Sequence, residues 1–308
     1  MPDARVRRAV HEVTAAAPAD VLYGLIADAT RWPLFFRPCV HVEQLDFDGV
    51  RERLRMWATA GDRIISWVST RHLDVAARRV EFVQDLPAAP ARSMSGVWTV
   101  QPLGDRSRVT LEYTFTVAGD SPADVAWLER TAGANCRQQL DELAALAERW
   151  TRLDGLVLSF EDTVRVNGPS ELIFDFLYRA EDWPGELPHV RTLEVVEEAP
   201  GVQVMSMGSL STDGSAHSTE SVRICFPGAG RILYKQTRTS PLLSAHTGEW
   251  SVEPDESGVN VTARHTVMLR EENPGPAVGE HVREALGRAG LLVLHHAAQY
   301  AVGAVRVL

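Results

Sequence analysis

Apolar and polar side chains alternate through most of the chain, and the alternation predicts strands. Between residues 108 and 117, Val109, Leu111, Tyr113, Phe115 and Val117 share one face, while Arg108, Thr110, Glu112, Thr114 and Thr116 share the other, the pattern of a half-buried strand. Val259, Val261, Ala263, His265, Val267 and Leu269 repeat it, so His265 stands where Tyr113 stands and both point inward. A long amphipathic helix is predicted after each of these strands, over Ser121 to Trp150 and Pro274 to about Val302. Upstream, a first strand (about Arg5 to Ala15; Phe160 to Val166) leads to a short helix opened by Pro18 or Pro169. That helix is expected to close at Trp32-Pro33 or Trp183-Pro184, because a residue before proline is pushed out of the helical region. Six strands follow in each half, with turns at Asp48-Gly49, Ala60-Gly61, Gly104-Asp105, Asp213-Gly214, Pro227-Gly228 and Ser257-Gly258.

The two halves are one pattern written twice. Pro18-Ala-Asp-Val-Leu matches Pro169-Ser-Glu-Leu-Ile, and Trp32-Pro33 matches Trp183-Pro184, at an offset of 151. Ser69-Thr70-Arg71 matches Ser221-Val222-Arg223, Gly96-Val97-Trp98 matches Gly248-Glu249-Trp250, and Pro122 matches Pro274, at 152. A spacing held this long predicts a duplicated domain, 1–152 and 153–308. Each copy is expected to be α+β, a curved antiparallel sheet wrapped around its long C-terminal helix.

Polar residues on apolar faces then suggest a cavity. Ile65, Trp67, Ser69 and Arg71 share one side of a strand, and His217, Thr219, Ser221, Arg223 and Cys225 share one side of its counterpart. Period alone leaves open which face is inner, since Ile64 and Val68 also fit a core. An arginine recurring two residues after a serine is either a solvated strand residue or a cavity-lining cation, and in the second case its replacement by alanine should leave the fold intact. Gln84 and Gln236 also correspond. His265 has two readings, a core histidine held by Gln236 or a backbone carbonyl, and an acid–base group.

Composition removes several classes of function. A formal charge of −10 disfavours nucleic-acid binding. The three cysteines, Cys39, Cys136 and Cys225, are too scattered for a disulfide framework or a cysteine-based zinc site. No apolar run reaches the roughly 20 residues of a membrane span, and no apolar segment follows the basic start, so a cytoplasmic protein is expected. Among 31 basic residues only Lys235 is lysine, as expected of GC-rich, actinobacterial coding. Gly228-x-Gly230 lacks the setting of a dinucleotide site, and the chain has no Walker motif, no His-Glu-x-x-His and no Gly-x-Ser-x-Gly. No metal and no cofactor is expected.

Each half resembles a START-like helix-grip domain. Trp32-Pro33-Leu34-Phe35-Phe36, Ser66-Trp67-Val68-Ser69-Thr70-Arg71 and Asn135-Cys136-Arg137 resemble the aromatase/cyclases of bacterial type II polyketide synthases, and the duplication resembles their di-domain class. The resemblance implies a cavity between sheet and helix that receives a poly-β-ketone from an acyl carrier protein, alongside other type II synthase subunits. It implies catalytic Arg71, Arg223, His265 and Tyr113, with Trp32, Trp67, Ser69, Gln84, Asn135, Trp183, Ser221 and Gln236 binding substrate. Two departures separate the copies: Thr219 replaces Trp67, and Gly287 and Arg288 fall where the first copy has Asn135 and its polar neighbours.

The implied reaction is a first-ring aldol closure of the C7/C12 type, dehydration and aromatisation, or both. It develops negative charge on oxygen, which a partly desolvated guanidinium stabilises, and it requires no cofactor. The alternative is a non-catalytic carrier of lipids or other hydrophobic ligands, for which a smooth apolar cavity suffices. Because histidine titrates near neutrality, His265 with Arg223 is expected to carry acid–base steps in the second copy, while Trp67 and Tyr113 bind and fold the chain in the first.

Overall fold

The structure, a computed structural model, describes residues 5–187, 190–210, 216–272 and 276–305. Two compact units, 1–153 and 154–308, divide the chain. In the first, β1 (Arg7–Ala15) leads through α1 (Ala19–Ala27) and α2 (Trp32–Phe35) into a meander: β2 (Cys39–Phe47), β3 (Arg51–Ala60), β4 (Arg63–Asp74), β5 (Arg79–Leu86), β6 (Ala91–Leu103) and β7 (Arg106–Val117). The helix α3 (Pro122–Ala147) follows, and a short α4 (Leu153–Leu156) lies at the joint. The second unit repeats the series as β8 (Val157–Val166), α5 (Ser170–Tyr178), α6 (Trp183–Glu186), β9 (Val190–Ala199), β10 (Val202–Leu210), β11 (Ala216–Phe226), β12 (Arg231–Arg238), β13 (Leu243–Asp255), β14 (Gly258–Leu269) and α7 (Pro276–Val305).

Both sheets have the same order, β1-β7-β6-β5-β4-β3-β2 and β8-β14-β13-β12-β11-β10-β9, and neighbouring strands are antiparallel throughout. The expected α+β architecture is present twice. α3 touches β1 and β7 at one side of its sheet and β3 near the other, which only a curved sheet permits. Its start is set by Ser121, whose Oγ accepts from the Asp124 N–H at 3.5 Å, and by Pro122, which needs no donor partner in the first turn. Leu128, Leu140, Leu143 and Leu146 bury its inner stripe, while Ile173, Leu177, Trp183, Ile232, Trp250 and Leu294 gather the second core.

The tryptophan-proline pairs do not close a helix. α1 ends at Asp28, whose N–H reaches Gly24 O, and Trp32, at φ −57° and ψ −35°, begins the next helical turn. A proline in a first turn forfeits no hydrogen bond, and the indoles fix the conformation: Trp32 Nε1 donates to Leu25 O at 3.0 Å and Trp183 Nε1 to Phe176 O at 3.1 Å. The second long helix is described over Pro276–Val305; Pro274 and the turn at Asp213-Gly214 lie outside the described residues.

Tyr113 and His265 are buried, at 3% and 4% exposure, and each sits beside a glycine, Gly96 or Gly248, on the neighbouring strand. These glycines admit a ring. A β-carbon on Gly96 would lie 2.7 Å from Phe82 Cζ, and one on Gly248 would overlap the Tyr234 ring and approach Arg264 O to 2.6 Å. Gly248→Ala is therefore expected to cost the second domain about 1–3 kcal/mol through overpacking, read as a lowered denaturant midpoint; an unchanged midpoint contradicts the packing described.

Candidate functional site

A cavity of about 190 Å³ opens between the first sheet and α3. All seven first-domain candidates, Trp32, Trp67, Ser69, Arg71, Gln84, Tyr113 and Asn135, line it, with Phe82, Met94, Trp98 and Trp127 among the other walls. The inner face of β4 is thus the one bearing Trp67, Ser69 and Arg71. Ser69 Oγ donates to Val83 O at 3.1 Å, and Asn135 Nδ2 donates to Thr59 O at 2.8 Å, tying the helix to the end of β3. Burial pushes the Tyr113 phenol up, so at neutral pH it is a hydrogen-bonding group and not a phenolate.

Arg71 lines this cavity without being a free cation. It is 3% exposed, and its Nη2 donates to Ile26 O at 2.7 Å and Ala27 O at 3.3 Å. Those carbonyls end α1 and have no partner within the helix. Nη1 lies 3.1 Å from Glu52 Oε1 in a buried ion pair, directly across the β3–β4 ladder, and Glu52 is held from its other side by Gln44 Nε2 at 3.0 Å. The guanidinium stacks over the Trp32 ring at 5.1 Å. Burial pulls its pKa down to about 10 and Glu52 opposes that shift, so it stays charged at neutral pH.

Arg223 repeats the clamp with a different partner. Its Nη2 donates to Leu177 O and its Nη1 to Tyr178 O at 3.5 Å, both at the end of α5, and its guanidinium faces the Trp183 ring at 5.8 Å. Across the ladder stands Gln203, where the first copy has Glu52, and Gln203 Nε2 also donates to Tyr178 O, at 3.4 Å. Burial lowers the pKa of Arg223. Neither arginine is a solvated strand residue or a freely presented cavity cation; each has buried partners whose loss its replacement by alanine would expose. Ser221 and Thr219 are buried on the same face of β11, and Gln236 is in register with Ser221 as Gln84 is with Ser69.

At the place of Tyr113 the second domain holds a cluster. Tyr234 Oη lies 2.8 Å from His265 Nδ1 and 3.4 Å from His246 Nε2, and the two histidine nitrogens are 3.1 Å apart. The partners of His265 are therefore Tyr234 and His246, not Gln236 or a backbone carbonyl. Nor does it titrate near neutrality. Burial pulls His265 down to about 4 and, aided by the charge of its neighbour, His246 to about 3, so both are neutral at pH 7. His246 and Tyr234 escaped the sequence reading as polar groups. The offset of 152 could have found them, because it equates Phe82 with Tyr234 and Met94 with His246, three changes on one inner face together with Tyr113 to His265. Glu52 and Gln203 were missed because their strands carry no motif; the cross-strand register alone reveals them.

The helices also align differently from expectation. β7 and β14 end at Val117 and Leu269, 152 apart, but within the helices the buried positions Leu128, Leu140, Leu143 and Ala147 recur as Val282, Leu294, Ala297 and Ala301, 154 apart. The alignment of the two copies therefore gains two residues between β14 and the buried face of α7. Ala289 therefore matches Asn135, and Gly290 matches Cys136, whose thiol interacts with the Tyr113 phenol.

Family models described as polyketide cyclase / dehydrase and lipid transport match residues 15–144 and 157–301. The chain is 40% identical to the granaticin polyketide synthase bifunctional cyclase/dehydratase of Streptomyces violaceoruber, over 98% of this chain and 96% of that one. The chain belongs to the polyketide cyclase/dehydrase family. The actinorhodin bifunctional cyclase/dehydratase of Streptomyces coelicolor is 38% identical to this cyclase/dehydrase over 94% and 96% of the two chains. This cyclase/dehydrase superposes on the di-domain ARO/CYC BexL of the BE-7585A pathway (TM-score 0.82, 37% identity, 96% and 98% covered). It also superposes on StfQ of the steffimycin pathway (TM-score 0.81, 31% identity, 96% and 99% covered). Among the described residues, no helix of this cyclase/dehydrase is long and apolar enough to cross a membrane, and no cluster of histidine, cysteine or carboxylate side chains has the make-up of a metal site.

Arg71→Met strands the Glu52 carboxylate and two helix-end carbonyls, an expected loss of about 3–5 kcal/mol in the first domain; adding Glu52→Gln recovers part of it, as Gln203 suits the second copy. A cost below about 1 kcal/mol in denaturant unfolding would contradict the clamp. For the histidines, the unfolded chain binds protons near pH 6.5 that the folded domain refuses until about pH 4 or lower. Stability of the second domain is therefore full above pH 6.5 and falls as pH drops toward 4. In His246→Met, melting temperatures measured across that range are expected to show a shallower decline.

Proposed function

We propose that the chain is a bifunctional cyclase/dehydratase of a type II polyketide synthase, receiving a poly-β-ketone from an acyl carrier protein. Its first domain closes the first ring by a C7/C12-type aldol, and its second carries acid–base steps of dehydration and aromatisation. The observation that carries this reading is the difference between matched inner faces: an aromatic-walled cavity with a strip of neutral hydrogen-bonding groups in one, and a tyrosine-histidine-histidine cluster in the other.

Ring closure removes a proton from a methylene between two carbonyls, and the enolate carbon attacks a ketone further along the chain; the C–C bond forms as the ketone's C=O pair moves to oxygen, which takes up a proton to leave a β-hydroxy ketone. Trp32, Trp67 and Trp127 supply flat apolar walls against which a flexible chain folds, so that one carbon pair meets. Ser69, Gln84, Tyr113 and Asn135 offer polar anchors for ketone oxygens. Arg71, held by Glu52 and the end of α1, contributes a fixed positive field at the polar end of the cavity and keeps Trp32 in place. A passive carrier needs only the apolar walls; the polar strip favours a site where charge develops on oxygen.

Incubating the full chain with a minimal polyketide synthase, with and without a ketoreductase, and identifying the products tests this reading. Tyr113→Phe keeps the ring and removes the phenol. It is expected to lower correct first-ring formation about 10²-fold and to raise shunt products, with stability changed by less than about 1 kcal/mol. Products unchanged on adding the wild-type chain would overturn the enzyme reading, and normal cyclisation by Tyr113→Phe would remove Tyr113 from it.

A further inference from the structure

The tyrosine-histidine-histidine cluster has an arrangement that a core has no need of. Its inner contacts are all made, and its two outer nitrogens are both bare: among the described residues, His246 Nδ1 and His265 Nε2 are buried without a hydrogen-bond partner. An unmet buried polar atom costs stability, and here two of them terminate one continuous chain, His246 Nε2 to Tyr234 Oη to His265 Nδ1. The ring of His265 is fixed between Phe160, 5.2 Å away, and His246, 5.4 Å away. Toward the helix it approaches Gly290, where a β-carbon would come within 3.2 Å of Nε2. The first domain places the Cys136 thiol at the matching position, where it interacts with Tyr113; in the second copy the glycine presents no such group to Nε2.

Two hydrogen-bond patterns satisfy these three side chains equally. In one, His246 Nε2–H donates to the phenol and the phenol donates to His265 Nδ1, leaving a lone pair on His246 Nδ1 and a proton on His265 Nε2. In the other, every bond is reversed. Passing from one pattern to the other carries a proton's worth of charge from end to end while every group stays neutral, and burial forbids the imidazolium that ordinary acid–base catalysis by histidine would form.

We propose that Tyr234, His246 and His265 are a charge-neutral proton relay for dehydration of a β-hydroxy ketone, the product of the aldol step, with His246 Nδ1 and His265 Nε2 as its two ends. This rests on the reading of the second domain given above. The α-carbon gives its proton to His246 Nδ1, and the C–H electron pair becomes the new C=C bond as the β-C–O bond breaks. The departing oxygen takes its proton from His265 Nε2, so the products are a conjugated enone and water, with no redox change. The relay is left in its reversed pattern. It is reset when the next proton shift of aromatisation runs the other way, a carbon proton passing to His265 Nε2 and a ketone oxygen taking one from His246 Nδ1. Tyr234 acts through its neighbours and is a positioning residue. The first domain, with Phe82, Met94 and Tyr113 at the matched places, has no such chain.

The test exchanges residues for those the first domain already accommodates. With the full-length protein, a minimal polyketide synthase and a ketoreductase, His246→Met is expected to slow dehydration about 10²-fold or more, so that the cyclised β-hydroxy ketone accumulates. Tyr234→Phe leaves the direct histidine contact and is expected to cost less. Dehydration at the wild-type rate in a folded His246→Met protein overturns the relay, whereas a wild-type chain that leaves the products unaltered overturns the underlying enzyme reading. A second measurement needs no variant. Nitrogen-15 spectra of the two histidines at pH 7 are expected to show matching neutral tautomers, both Nε2–H or both Nδ1–H, and opposite tautomers or an imidazolium on either ring would overturn the proposal even if His246→Met failed to fold.

Discussion

A guanidinium withdrawn from water must find acceptors, and the last turn of a helix has carbonyls that must find donors. In each domain these two needs meet. Arg71 reaches the end of α1 and Arg223 the end of α5, and each stacks on the tryptophan that begins the next helical turn. The contact holds a strand, a helix terminus and an aromatic ring in one place, and the negative end of the helix dipole favours the buried cation. In the first domain the position of Trp32, and with it one wall of the cavity, depends on that contact.

Duplication kept the clamp and changed its surroundings. Glu52 balances the charge in the first copy, while Gln203 offers only a dipole in the second, so the second arginine relies more heavily on helix carbonyls. Above the clamp the divergence is larger. Phe82 and Met94 flank a cavity in one domain, and Tyr234 and His246 form a hydrogen-bonded cluster in the other. The glycines beneath these rings, Gly96 and Gly248, did not change, because both copies bring a ring against the strand there.

The alternation of strand residues, the repeat and the long helices were legible in the sequence because each follows from a local period. Which face of β4 is inner was not, since Ile64 and Val68 fit a core as well as Ile65 and Trp67 do; the curvature of the sheet decides it. The role of Arg71 was also hidden, as its partners lie 19 and 45 residues away and are chosen by strand register and helix docking. The altered offset in α7 was unreadable for a related reason. Two residues inserted before a helix leave its faces intact, whereas two inserted within it would turn them by roughly 200°, so a constant spacing carried into the helix pairs the wrong residues, such as Gly287 with Asn135.

The place of β1 in the sheet governs how the chain can fold. β1 is made before the rest of its sheet, yet among the described residues its one sheet partner is β7, Arg7 lying opposite Phe115. β8 waits in the same way for β14. Hairpins of the meander can form from neighbouring residues, but each sheet acquires its final strand only by closing a loop that encloses nearly the whole domain, an entropic cost met before the contact rewards it. During synthesis each domain therefore carries an unpaired leading strand until its own last strand has emerged, and the two domains complete their sheets in sequence.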